Sequence, residues 1–146
     1  MLQLVEFNNL WKKHFQNEKE LLQKAINGQE CNDIEHIGAT SVVMCKTCGT
    51  IDVLLSIPSK IEFFTLKNIL VRSGYEFIEN LSNQDCFFFV RRNNKKQIVA
   101  TIRLVEYASD TYTNIILFKK YLKESKKTDK YNTFRETAIK HARGDV

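Results

Sequence analysis

Two segments, Ile34-Glu35-His36-Ile37-Gly38-Ala39-Thr40-Ser41 and Thr50-Ile51-Asp52-Val53-Leu54, decide how this chain is read. The first is a short apolar strand that breaks at a glycine into Ala-Thr-Ser. Such a break can present backbone N–H groups and two hydroxyls at a helix start, where geometry and dipole favour an anion. The second is an apolar strand carrying one acid, Asp52. Phosphate-binding chemistry beside a carboxylate suggests a nucleotide as the class of ligand.

Outward from these segments the periodicities fall into order. Leu4, Trp11, Phe15, Glu18, Leu22 and Ile26 share one helical face, with Asn27-Gly28 as the stop. A strand over Asp33 to Ile37 follows, then a short helix starting at Thr40-Ser41 and a buried strand over Thr50 to Ile57. Ser59 and Glu62 form a capping box that opens a helix ending near Ser73-Gly74. Tyr75 to Glu79, Asp85 to Arg92 and Gln97 to Tyr107 read as a meander of three strands, joined by turns at Asn80 to Asn83 and Asn93-Asn94. Ser109-Asp110 caps a helix with Ile115, Phe118, Tyr121 and Leu122 on its face, and Thr128-Asp129 caps another bearing Tyr131, Phe134 and Ala138. The order α-β-α-β-α-β-β-β-α-α suits an α+β, mixed α/β fold: one mixed sheet, helices packed on it and two helices at the end.

The composition agrees with a single domain spanning residues 1–146, since 43% hydrophobic and 27% charged content is enough for one core. No apolar run approaches a membrane span, the longest pure stretch being Cys86 to Val90, and Met1 to Glu6 carries no basic leader before an apolar segment. A cytoplasmic protein with no membrane partner and four reduced cysteines is expected. The net charge of +5 is compatible with an anionic ligand.

Several of these residues, in the same order, resemble the GrpB family, a branch of the nucleotidyltransferase-fold superfamily. Phe7 to Phe15 resembles its opening helix. His36-Ile37-Gly38-Ala39-Thr40-Ser41-Val42-Val43-Met44 resembles its His-Ile-Gly-Ser-Thr-Ser-Val-Pro-Gly segment, and Cys48-Gly49-Thr50-Ile51-Asp52-Val53 its Lys-Pro-Ile-Ile-Asp-Ile strand, with the acid in register. Gly74-Tyr75, Phe118 to Lys123 and Tyr131-Asn132-Thr133-Phe134-Arg135 resemble three later motifs. The resemblance implies a nucleotidyltransferase-like sheet and one more helix beyond the last residue present here.

It also implies a site, with departures. Asp52 and His36 are the catalytic candidates, Asp52 being also the candidate ligand for Mg²⁺. Gly38, Ala39, Thr40, Ser41, Lys46 and Arg103 are the candidates for holding phosphate. The family's lysine is Cys48 here, leaving Lys46 as a nearby substitute, and its His-x-His strand is Thr101-Ile102-Arg103. That change removes two imidazoles and brings in a guanidinium able to fork onto phosphate oxygens. The superfamily's chemistry uses two Mg²⁺ ions held by several carboxylates, whereas Asp52-Val53-Leu54 supplies one. The expected function is therefore binding of a nucleotide or small phosphorylated ligand, in preference to turnover. An active Mg-dependent nucleotidyltransferase is the first alternative, and a nucleic-acid-binding or interaction module the second.

Ordinary structural roles compete for the same residues. Asp52 can hydrogen-bond a turn, His36 can be a satisfied interior histidine, and Thr40 and Ser41 can cap a helix. Trp11 and Phe15 read as core. Cys45-Lys46-Thr47-Cys48 has the spacing of half a zinc or redox site, but Cys31 and Cys86 are not paired at short spacing, so coincidence is the simpler reading. Lys119, Lys120, Lys123, Lys126, Lys127 and Lys130 could track a nucleic-acid backbone. A solvated helix end that complements the helix dipole is the preferred account of them.

Overall fold

The computed structural model describes residues 9–41 and 49–142, except the side chains of 39, 125–129, 141 and 142. Helix α1 (Leu10–Ala25) buries Trp11, Glu18 and Leu22, one side of an otherwise polar helix, and the chain leaves it through Gly28 at φ +88°. Leu4, expected on the same face, lies outside the described residues. Strand β1 (Asp33–Ile37) matches its expected bounds, and β2 (Ile51–Ile57) begins one residue later than expected.

Between the two strands the short helix is a single 3-10 turn, Ala39–Ser41. Ser59 caps as expected, accepting from the Ile61 backbone N–H at 3.3 Å, but the cap opens a 3-10 turn, Lys60–Glu62, ahead of α2 (Phe63–Arg72). The meander is present with a shorter first strand. β3 is Glu76–Phe77 alone, because the chain turns into a 3-10 turn at Glu79–Leu81; β4 (Cys86–Arg92) and β5 (Ile98–Glu106) are full strands. Ser109 caps α3 (Asp110–Lys123), accepting from the Tyr112 N–H at 3.2 Å, and α4 (Ser125–Ala142) starts ahead of the cap expected at Thr128-Asp129.

The five strands form one mixed sheet in the order β1-β2-β5-β4-β3. Only β2 and β5 run parallel; every other neighbour is antiparallel. Alternation along the strands sorts side chains to two faces. Ile51, Val53, Leu55 and Ile57 of β2 join Ile102, Leu104, Phe87 and Phe89 in the main core, closed by Trp11 and Leu22 of α1 and Phe63, Leu66 and Leu70 of α2. Burying each such aliphatic or aromatic side chain contributes about 1.5–3 kcal/mol. The opposite face has a smaller apolar cluster, Ile37, Leu54 and Val105, covered by Tyr112, Ile115 and Ile116 of α3. Phe118 meets Tyr131 edge-on, ring centroids 5.7 Å apart, where α3 and α4 pack together. Among the described residues no helix is long and apolar enough to cross a membrane.

Candidate anion-binding site

Asp52 sits at the start of β2, on the thinly covered face. The register places it beside Ile37 of β1 and Thr101 of β5, so the Gly38 bend and the acid are brought together. Their contact is close: a Cβ on Gly38 would overlap Asp52 Oδ2 and come within 3.0 Å of the carboxyl carbon. Gly38 also has φ +72°, a conformation L side chains rarely adopt. Glycine is thus required here twice, by the turn and by the carboxylate beside it.

The other carboxylate oxygen, Oδ1, accepts from Thr101 Oγ1 at 2.5 Å. Burial pushes the Asp52 pKa up, opposed by the Thr101 hydrogen bond and by the positive charges of Arg103 and Arg135. Arg103, two residues along β5 on the same face, is exposed and lies 5.4 Å from the Phe88 ring. Arg135 of α4 lies 5.3 Å from the Tyr131 ring. Two guanidinium groups from separate elements therefore act on one partly buried acid. Thr101 entered the sequence reading only as a lost histidine, and Arg135 was not a candidate at all. The cation closing the Tyr131 to Arg135 motif was the available signal for it.

His36 is not brought to Asp52. It alternates with Ile37 and so points to the α1 face, where its ring stacks on Phe15 with centroids 4.7 Å apart. Its Nε2 lies 2.7 Å from Thr40 Oγ1, and that hydroxyl donates to the Thr50 carbonyl at 3.3 Å. The network assigns the Nε2–H tautomer, with His36 donating to Thr40. Burial, then the charge of Lys119, lower the His36 pKa to about 4, so the ring is neutral at pH 7. This is the satisfied interior histidine that competes with the catalytic role in the sequence, and it lies across the sheet from Asp52.

The hydroxyls are likewise spent inside the protein. Thr40 is 0% exposed, and Ser41 Oγ donates to the Gly38 carbonyl at 2.6 Å, closing the turn. Both therefore shape the bend, in place of the expected contact with phosphate. Ala39 contributes backbone to the same 3-10 turn. Lys46 and the Cys45 to Cys48 pair lie outside the described residues. Cys31 and Cys86 are free thiols whose pKa values burial pushes up, the opposite of an activated cysteine. Of the lysine stretch, Lys119 is a structural cation: its Nζ donates to the His36 carbonyl at 2.7 Å and pairs with Glu35 at 3.3 Å.

These donors do not fit Mg²⁺. The ion wants near-octahedral oxygen ligation, with carboxylates as its usual protein ligands. The next residue on the Asp52 side of β2 is Leu54, fully buried. Thr101 and Arg103 occupy the facing positions of β5. Glu35 shares the face but is engaged by Lys119, and Glu106, at the far end of β5, accepts from the Lys60 backbone N–H at 2.9 Å. Among the described residues no group of three His, Cys, Asp or Glu side chains could hold a metal ion.

The same fold recurs in solved structures. Cid1 poly(U) polymerase, with MgGTP bound, matches with a TM-score of 0.52 at 11% identity, over 82% of this chain and 39% of the polymerase. The class is accordingly a nucleotidyltransferase-like α/β fold. The conserved protein GrpB from Enterococcus faecalis matches with a TM-score of 0.81 at 20% identity, over 99% of this chain and 86% of that one. Glutamate-rich protein GrpB of Alkalihalophilus pseudofirmus is 28% identical over 123 residues, 82% of this chain and 70% of that protein. The family model described as GrpB protein matches residues 1–146, and the chain belongs to the GrpB family.

Proposed function

We propose that the Asp52 face binds a nucleotide or a similar phosphorylated, hydroxyl-bearing anion, and that it does so without a metal ion. The observation that carries this reading is that the positive charges of Arg103 and Arg135, from two elements, both act on the partly buried Asp52 carboxylate beside the Gly38 turn. Guanidinium groups fork onto phosphate oxygens and, unlike ammonium groups, stack on aromatic faces as they bind. A carboxylate within reach of their charge is suited to accept from a hydroxyl such as that of a ribose. Turnover is not part of the proposal, because the second and third acids of two-metal transfer are Leu54 and Thr101 or Arg103 here. Cytoplasmic residence, where such ligands are abundant, belongs to the same reading. Binding of nucleic acid is disfavoured because Lys119, the first cation of the basic stretch, is used internally.

Calorimetric titration with a panel of nucleosides and their mono-, di- and triphosphates tests it. Phosphorylated members are expected to bind and bare nucleosides to bind at least tenfold more weakly, with Arg103→Gln and Arg135→Gln each weakening the phosphorylated members about tenfold. Equal affinity for nucleoside and nucleotide would remove the phosphate from the account.

A further inference from the structure

Across the sheet from Asp52, a cavity of about 450 Å³ opens between α1 and the first residues of β2 and β5, with Trp11, His14, Asn17, Glu18, Arg91 and Asn93 in its wall. Glu18 is 1% exposed. It accepts from Arg91 Nε at 2.7 and 2.9 Å and from the Tyr75 hydroxyl at 3.4 Å. An unpaired carboxylate at that depth would be strongly unfavourable, so the pair fastens α1 to β4. Only Nε is used, however. The terminal amino groups of Arg91 have no hydrogen-bond partner among the described residues, and the side chain is 33% exposed at the cavity wall.

We propose that this cavity is a second ligand site, separate from the Asp52 face, and that it takes a small oxyanion, a carboxylate or a phosphate, on the terminal amino groups of Arg91. Glu18 holds the guanidinium plane from the Nε side, so the fork is already ordered when a ligand arrives. The geometry of two parallel N–H donors suits a planar carboxylate and a tetrahedral phosphate alike. Asn17 and the exposed His14 add polar groups at the rim, whereas the Asn93 side chain is used within its own turn, donating to Gln97 Oε1 at 3.0 Å. Glu18 and Arg91 cancel in formal charge, so the oxyanion is held by directed hydrogen bonds, and a bare ion should bind at about millimolar concentration.

Trp11 is the sole tryptophan of the chain and lies in the cavity wall, which gives the test an intrinsic signal. The full chain is titrated with sodium phosphate and, in a second arm, with sodium acetate, each against sodium chloride at matched ionic strength. A saturable change in Trp11 fluorescence is expected in at least one arm. Saturation in both assigns the site to oxyanions in general, and in one arm alone to that ion. Arg91→Lys keeps a cation for Glu18 but loses the planar fork, and should weaken the effect roughly tenfold. Arg103→Gln, on the other face, should leave it unchanged. A response no larger than that to chloride, equal in Arg91→Lys, or lost in Arg103→Gln overturns the proposal. Should Arg91→Lys fail to fold, nuclear magnetic resonance of the wild-type guanidinium groups decides: phosphate or acetate must move the Arg91 signals, and unmoved signals overturn it.

Discussion

The two faces of the sheet are built to different ends. Against α1 and α2, large side chains with almost no exposure fill the space, and the buried charge of Glu18 is answered by Arg91 and Tyr75. Against α3 and α4 the apolar cluster shrinks to Ile37, Leu54 and Val105, and the face also carries Asp52, Thr101 and Arg103, with the charge of Arg135 on α4 acting on Asp52 as well. One face is closed by apolar packing, while the other carries a partly buried acid and its polar neighbours beside a smaller apolar cluster. The parallel pair β2 and β5 serves both, since alternate residues of the same strands supply core to one side and the Asp52, Thr101 and Arg103 side chains to the other.

The difference can be broken by substitution. Phe89→Ala, in the closed core, should cost about 4 kcal/mol in urea unfolding, the usual range for emptying a phenylalanine site. A cost below about 1 kcal/mol would mean this face is not the stabilising one.

A smaller effect should appear with acid. His36 has a pKa of about 4 in the folded chain and 6.5 as its ordinary value, so between those pH values the unfolded chain holds more protons. Its contribution to stability should therefore fall as pH drops from 6.5 towards 4, by about 1.4 kcal/mol per pH unit and roughly 3 kcal/mol in all. Unfolding curves across that window should lose this slope in His36→Asn; a slope that persists would place the proton elsewhere.

Gly38→Ala should cost roughly 2 kcal/mol, part from the positive φ and part from overlap with the Asp52 carboxylate. Combining it with Asp52→Ser should return the overlap part, a coupling that a double-mutant cycle reads directly. Additive costs would mean that the turn and the acid are independent.

The smallest effect is the most telling about purpose. Asp52→Asn relieves the burial of a charge while still accepting from Thr101, so at pH 7 it should leave stability unchanged or raise it by up to about 1 kcal/mol. The same variant should lose ligand affinity. Destabilisation by 2 kcal/mol or more would make Asp52 a structural residue.

Much of this was legible in the residues because local patterns carried it. Apolar, β-branched runs bounded by turn formers marked β2, β4 and β5, Ser109 marked the start of α3, and Gly38 with Asp52 marked the point where strand meets turn. The losses were of two physical kinds. β3 kept only Glu76 and Phe77 because an apolar run does not show where its ladder partner stops. For His36 the sequence left an interior role and a catalytic one in competition, and strand alternation decides for the interior role, since a side chain one residue from Ile37 faces the other way. The influence of Arg135 on Asp52 and the Glu18–Arg91 ion pair link positions 83 and 73 residues apart in the chain. No local pattern records such contacts.

If arginines hold a phosphorylated ligand on the Asp52 face, binding needs no metal ion. Titrating a nucleoside triphosphate into the protein with excess Mg²⁺, and again with the metal chelated, tests it most directly. Saturable binding is expected in both titrations, within about threefold in affinity and weakened by Arg103→Gln but not by Arg91→Lys. Binding seen only with Mg²⁺, or no binding in either, would contradict it.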